Sequence, residues 1–227
     1  MKHTITLVKK EYLNKEVIKL SFNKHGLEWK SGQFGMFLLP ISSDEIIRRA
    51  YSFSSCLKNK YLEIIVKRVR NGVGTGYLFD NFEENDTVET MLPFGHMTLQ
   101  NNTQENIFVG VGIGITPLLG MIRELAFQGF PNKTTLYYGA RHKADLIEQN
   151  ELRKYEKEYN NFHYIVSLSR DEKTSNTLSG RILQHITEQD FSKHNMYICG
   201  SPEASQDIKD LLLSRKAVDT SIFKEAF

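Results

Sequence analysis

Only two cysteines, Cys56 and Cys199, occur in the 227 residues. Two thiols exclude a disulfide framework, a cysteine-built structural zinc site and an intrinsic four-cysteine iron–sulfur cluster. The seven histidines form no His-x-x-x-His or His-x-His pair, so no protein-bound metal is expected. Gly-x-Ser-x-Gly and Gly-Lys-Ser/Thr strings are missing, which argues against hydrolase and nucleoside-triphosphatase chemistry. An excess of one charge is missing too, with a net of +2. The densest basic cluster, Lys67-Arg68-Val69-Arg70, ends a strand pattern as a solvated edge would, and no nucleic-acid patch is expected. The longest apolar run, Ile107 to Ile122, is glycine-broken and shorter than the ~20 residues a membrane span needs. Met1 leads into an alternating strand and not a signal-peptide core, so a cytoplasmic protein is expected.

A hydrophobic fraction of 40% and a charged fraction of 25% are those of a globular protein. The length suits two domains of roughly 100 residues each. Up to about residue 100 the chain reads as short strands: Ile5–Val8, Val17–Ser21, Gln33–Leu38, Arg49–Ser54, Tyr61–Lys67, Thr87–Met91 and His96–Leu99. Turn residues separate them, and one short helix, Gly76–Phe82, interrupts them with Thr75 placed to cap it. Many short strands without long helices predict a closed antiparallel barrel. From about residue 105 strands and helices alternate. Strands Ile107–Val111, Thr134–Ala140, His163–Ser167 and Met196–Cys199 lead to helices Pro117–Phe127, Leu146–Tyr159, Arg181–Thr187 and Pro202–Ser214. A last extended piece covers Ser221–Phe223. Such alternation predicts a parallel sheet with helices on both faces. The polar tract Gln100–Glu105 marks the boundary, giving domains 1–102 and 103–227.

The stretch Gly110-Val111-Gly112-Ile113-Gly114-Ile115-Thr116-Pro117 lies between a buried strand and a helix. Glycines there admit a diphosphate close to backbone N–H groups, and a helix N-terminus favours the anion; an ordinary strand-to-helix turn would also tolerate them. Four other strings carry chemistry. Arg49-Ala50-Tyr51-Ser52 offers a guanidinium fork, an aromatic face and a small hydroxyl. Gly72-Val73-Gly74-Thr75-Gly76 places glycines before a short helix. Cys199-Gly200-Ser201-Pro202 ends a strand in a small polarisable thiol before a helix. The terminus reads Glu225-Ala226-Phe227.

In this order, and over nearly the whole chain, these strings resemble the ferredoxin–NADP reductase superfamily of flavoenzymes. The resemblance implies an N-terminal antiparallel Greek-key barrel holding FAD, in preference to FMN, and a C-terminal Rossmann-like domain holding NAD(P)H. It implies that Arg49, Gly74 and Thr75 bind the flavin diphosphate, that Tyr51 stacks on the isoalloxazine and that Ser52 lies near its N5. The backbone of Val66 and Lys67 would face the flavin. Gly112, Gly114 and Thr116 would hold the nicotinamide side of the coenzyme, and Ser52, Cys199 and Glu225 would form the hydride-transfer site. Phe227 resembles the terminal aromatic that covers the flavin. Ala50, Ser201 and Ala204 stand where the family usually has Pro, Pro and Met.

Coenzyme choice turns on Ala140-Arg141-His142, which follows the second strand without the acid that accepts ribose hydroxyls. Ser169-Arg170 resembles the pair that meets the 2′-phosphate in NADPH-using relatives. With Arg141, Ser169 and Arg170 assigned to that phosphate, NADPH is favoured over NADH. The electrons are then expected to leave for a separate carrier such as ferredoxin, flavodoxin or an oxygenase component. An alternative is a reductase of free flavin, and a third reading is a non-catalytic subunit that keeps only the fold.

Overall fold

The structure, a computed structural model, describes residues 2–100, 103–187 and 190–226, with Ala226 described by its backbone alone. The chain divides into two compact units: Met1–Leu99 with Leu119–Glu124, and Gln100–Leu118 with Leu125–Phe227.

In the first unit, β1 (Lys2–Asn14), β2 (Val17–Phe22), β3 (Phe34–Pro40), β4 (Ile46–Ser52), β5 (Leu62–Lys67) and β6 (Thr87–Phe94) pair antiparallel in the order β4-β3-β6-β1-β2-β5. The two ends of that order meet where Phe53 bridges Ile64 and Ser54 N–H donates to the Glu63 carbonyl at 2.8 Å, which closes the barrel. β1–β2 and β3–β4 are hairpins, and β6 inserts between β1 and β3, which is Greek-key connectivity. Leu7, Ile18, Leu20, Phe22, Phe37, Phe53 and Phe82 fill the interior. Helix α1 (Val73–Asp80) connects β5 to β6.

In the second unit, β7 (Glu105–Val111), β8 (Thr134–Ala140), β9 (Phe162–Leu168), β10 (Leu178–Ser179), β11 (His194–Gly200) and β12 (Ile222–Ala226) form a parallel sheet in the order β10-β9-β8-β7-β11-β12. Helices α2 (Ile115–Phe127), α3 (Gln149–Glu158) and α4 (Pro202–Ser214) connect them. Every residue of β8 and β11 is buried, as strands covered on both faces require. The order reverses direction at β7. Right-handed crossovers therefore send helices to opposite faces on either side of it, and a crevice opens beyond the carboxyl ends of β7 and β11.

Several elements differ from the sequence reading. β1 runs to Asn14 and not to Val8, because Lys9–Asn14 pairs with β2. His96–Leu99 forms no strand. α1 begins at Val73, and Thr75 does not cap it: Gly72 is the N-cap, while Thr75 Oγ1 accepts from Val69 N–H at 3.1 Å and donates to the Gly72 carbonyl at 3.2 Å. Pro117 is the third helical residue of α2, still within the turn whose N–H groups lack helical partners. α3 starts at Gln149, after Glu148 in a left-handed conformation (φ 53°), and the expected helix at Arg181–Thr187 is a 3₁₀ turn, Ile182–His185. α4 spans Pro202–Ser214 as read, with Ser201 Oγ accepting from Ala204 N–H.

Candidate functional site

Each unit assembles its own constellation. On the barrel, β4 carries Arg49, Tyr51 and Ser52. Tyr51 is half-buried against the core, edge-on to Phe37 with ring centroids 5.6 Å apart, and burial pushes its phenol up to about 12. It stays neutral, a rigid face backed by packing. Arg49 is exposed, and its Nη1 donates to the Arg48 carbonyl at 2.8 Å. A Cβ on Gly74 would stand 3.0 Å from Ile47 Cδ1 and 3.2 Å from Arg49 Cγ, so the first turn of α1 lies against the Arg49 stem. The Arg49 stem and the first turn of α1 thus meet. The first turn of α1 has no acid and no side-chain cap, which leaves its N–H groups for an external anion.

β5 is laddered to β2 along its length, but toward β4 its pairing ends at the Phe53–Ile64 bridge. The backbone of Val66 and Lys67 lies beyond that bridge, where a flat heterocycle can take hydrogen bonds from an open edge. Val66 is buried, and the exposed Lys67 Nζ is 3.7 Å from Glu16. Ser52 is buried with no hydrogen-bond partner for Oγ, an arrangement that a ligand atom would complete. These residues fit a flavin nucleotide: an aromatic wall, an unpartnered hydroxyl, an open edge and a dianion cradle.

In the second unit, Gly112, Gly114, Thr116, Cys199 and Glu225 gather at the crevice beyond β7 and β11. Gly112 has φ +57° with nothing within 4 Å of an added Cβ. A Cβ on Gly114 would stand 2.4 Å from the Cys199 carbonyl oxygen, so only glycine lets this loop lie on the end of β11. Thr116 is buried, and its hydroxyl donates to Ile113 O at 2.8 Å, so it braces the loop. Cys199 is paired in register with Glu225 across β11 and β12. Burial, then the neighbouring carboxyl, holds the Cys199 thiol well above its ordinary range, so it is a neutral wall and not a nucleophile. Burial pushes Glu225 up to about 7, and its Oε2 is buried without a partner. A buried carboxyl that holds its proton near neutrality beside a glycine-lined crevice fits a proton-bearing role next to a bound nicotinamide. Phe227 lies outside the described residues.

The Glu225 shift carries a stability consequence. A carboxyl raised from the usual 4.5 to about 7 contributes stability that is full below 4.5 and is lost as pH rises to 7. Glu225→Gln is expected to match the parent at pH 4 and exceed it at pH 8 by about 1–2 kcal/mol, after discounting for partial exposure. Chemical denaturation at both pH values checks this. Equal stability at pH 8 would mean that the carboxyl ionises normally.

Arg141 and Ser169–Arg170 follow β8 and β9, and the structure brings them together. Ser169 N–H donates to the Ala140 carbonyl at 2.9 Å and Arg170 N–H to the Arg141 carbonyl at 3.0 Å. Ser169, Arg141 and Arg170 are all exposed. Sequence reasoning missed Asp171, which ties the two loops: its carboxylate meets His142 Nδ1 at 2.7 Å and accepts from Lys143 N–H at 2.6 Å. The His142 hydrogen bond, then the Lys143 N–H, hold Asp171 below the usual carboxylate range. It lies 29 positions from its imidazole partner, so no local pattern could announce it.

Comparison with known proteins finds two oxidoreductase domains in the chain. Residues 4–99 match the oxidoreductase FAD-binding domain and residues 108–210 the oxidoreductase NAD-binding domain. The chain is 28% identical over 216 residues to the anthranilate 1,2-dioxygenase electron transfer component of Acinetobacter baylyi, covering 93% of this chain and 62% of that protein. It is 29% identical to a flavodoxin/ferredoxin–NADP reductase of Buchnera aphidicola, covering 82% and 80%. It spans 61–64% of the length of the first three curated relatives, all reductase or electron transfer components of oxygenases. The crystal structure of an Amycolatopsis cytochrome P450 reductase superposes with a TM-score of 0.91 at 24% identity, over 100% of this chain and 70% of that one. A ferredoxin NADP+ reductase from Neisseria gonorrhoeae, solved with FAD and NADP, gives 0.87 at 19% identity, over 99% and 98%. At these identities the structural likeness shows the fold.

Proposed function

The chain belongs to the ferredoxin–NADP reductase superfamily, and we propose that it is a flavoprotein reductase that moves electrons from NADPH through bound FAD to a separate protein carrier. The observation that carries this reading is that each unit sets glycines at a close approach that suits a nucleotide: Gly74 of the uncapped α1 first turn against the Arg49 stem in one, Gly114 against the Cys199 carbonyl in the other. When bound, FAD supplies the exchange between two-electron and one-electron chemistry. Arg49 and the N–H groups of α1 would hold the flavin diphosphate, Tyr51 would offer its face to the ring, and the Ser52 hydroxyl would donate a hydrogen bond to it or accept one from it. Gly112 and Gly114 would admit the coenzyme to the crevice, Cys199 would keep the place for its ring narrow, and Glu225 would hold a proton at its carboxyl there. FAD is favoured over FMN because residues 4–99 match the oxidoreductase FAD-binding domain. Ferredoxin, flavodoxin or an oxygenase component is the proposed acceptor, as the names of the relatives suggest. Among the described residues no helix is long and apolar enough to cross a membrane.

Anaerobic spectroscopy of the purified protein tests the proposal. A yellow protein bleached by NADPH and recoloured by a carrier supports it; flavin that dialyses away, with saturable activity on added FMN or riboflavin, would replace it with a reductase of free flavin. Coenzyme choice has its own test. Joint replacement of Arg141 and Arg170 by alanine is expected to lower the NADPH-over-NADH ratio of kcat/KM roughly ten- to hundredfold, since each guanidinium offers a charge-assisted contact to the 2′-phosphate. An unchanged ratio would remove both arginines from selectivity.

A further inference from the structure

Helix α1 has only eight residues and no basic residue in its last turn. A helix this short does not hold itself; Leu78 and Phe79, buried in the barrel core, anchor its middle and end, and the contacts at its two ends set its direction. The grip at the carboxyl end comes from β1. Lys10 Nζ donates to the carbonyls of Phe79 at 2.9 Å and Phe82 at 2.8 Å and to Glu83 Oε1 at 2.9 Å, with its side chain only 5% exposed. One ammonium thus spends all three donors on the end of α1 and the turn after it. Tyr12, on the same face of β1, sets its ring edge-on to Phe79 at 6.2 Å and donates its hydroxyl to the Phe79 carbonyl at 3.4 Å. From the end of β5, the Arg68 guanidinium lies 5.0 Å over the Phe79 ring and pairs with Asp80, but it is 42% exposed. Lys10 is the buried cation of the set, placed where the helix dipole is negative.

We propose that Lys10 is a positioning residue for the flavin diphosphate: it fixes the carboxyl end of α1 and so aims the amino end, with Gly74, at Arg49. This rests on the flavin reading of α1 given above. Without the ammonium, the Phe79 and Phe82 carbonyls lose a buried charged donor. The helix, about 12 Å long at 1.5 Å per residue, can then pivot, and Gly74 departs from its close fit against Arg49. The exposed surface of the barrel gives no hint of this, because the lysine sits in a charged stretch of β1, 64 positions before the glycine it aligns.

The test uses the full-length protein. FAD affinity is measured by fluorescence-quench titration of the flavin-free chain for Lys10→Met, Lys10→Gln and Lys10→Arg, and amide hydrogen exchange is followed in α1 and in β2. Lys10→Met is expected to weaken FAD about tenfold and to speed exchange in α1 while β2 stays protected; Lys10→Arg, which keeps charge and donors, recovers most of the affinity. Lys10→Gln serves if the methionine variant fails to fold. FAD affinity held within about twofold, or exchange raised equally in α1 and β2, would overturn the proposal and leave Lys10 an ordinary stabilising residue. Gly74→Ala separates the two levels of the argument. If it weakens FAD while the Lys10 variants do not, the positioning role alone fails; if it too leaves FAD affinity unchanged, the flavin reading of α1 fails.

Discussion

Gly114→Ala is expected to lower the rate of flavin reduction by NADPH at least about a hundredfold while leaving FAD content unchanged. The added methyl would stand 2.4 Å from the Cys199 carbonyl oxygen, 2.6 Å from its carbon and 2.7 Å from Gly200 N. All three are backbone atoms of a strand held in register on both sides, Cys199 against Gly110 and against Glu225. β11 cannot yield, so the loop must move. A shift of about 1 Å in the seat of a reacting group is worth roughly two orders of magnitude in rate. Gly112→Ala is the control. It meets no atom within 4 Å but requires φ +57°, which costs an alanine about 1–2 kcal/mol of strain without displacing the loop from β11. Anaerobic stopped-flow at saturating and limiting NADPH compares the two, and parent-like reduction in Gly114→Ala would show that the glycine loop does not seat the coenzyme.

Arg123→Leu is expected to cost about 3 kcal/mol or more in the transition that melts the barrel. Arg123 belongs to the first unit, and its side chain is 6% exposed. Its Nη1 donates to Glu63 Oε2 at 2.9 Å and to the Ser54 carbonyl at 2.8 Å, and Glu63 is itself only 18% exposed. Removing the guanidinium leaves a carboxylate and a carbonyl short of a donor beside the Phe53–Ile64 bridge that closes the barrel. Replacing both partners removes the stranded charge, so Arg123→Leu with Glu63→Leu should recover part of the loss. Denaturant titration followed by tryptophan fluorescence reports on it directly, because Trp29 Nε1 donates to Ser55 O at 3.1 Å in the same corner. A single variant as stable as the parent would mean that the pair contributes nothing to closure.

The class of each unit was legible in the sequence because hydrophobic period is a local property. Short strands between turn residues, without long helices, implied an antiparallel barrel in the first hundred residues, and the strand–helix grammar after residue 105 implied a parallel sheet; both architectures are present. α4 was legible to the residue, since Ser201 and Pro202 fix its start by local chemistry. Legibility ended where a distant partner decided the outcome. Lys9–Asn14 is strand because β2 pairs with it, Thr75 braces a loop because Val69 turns back toward it, and α3 begins late because His142–Asp145 closes a turn of its own.

The same division holds for the candidate site. Residue types and their order were in the chain: a guanidinium and an aromatic ending one strand, glycines ahead of two helices, a thiol before a third. Their chemistry was decided by folding. Glu225 titrates near neutrality only because β12 carries it into the sheet beside Cys199, and Ser52 lacks a partner only because the barrel wall closes around it. Lys10 and Asp171 grip their partners from 69 and 29 positions away, and neither sits in a recognisable string. Periodicity and turn chemistry act over a few residues, so the sequence by itself determined the two folds and the inventory of groups. Burial and hydrogen bonding act through space, and the tertiary structure alone decided which groups are charged, which are aimed and which await a ligand.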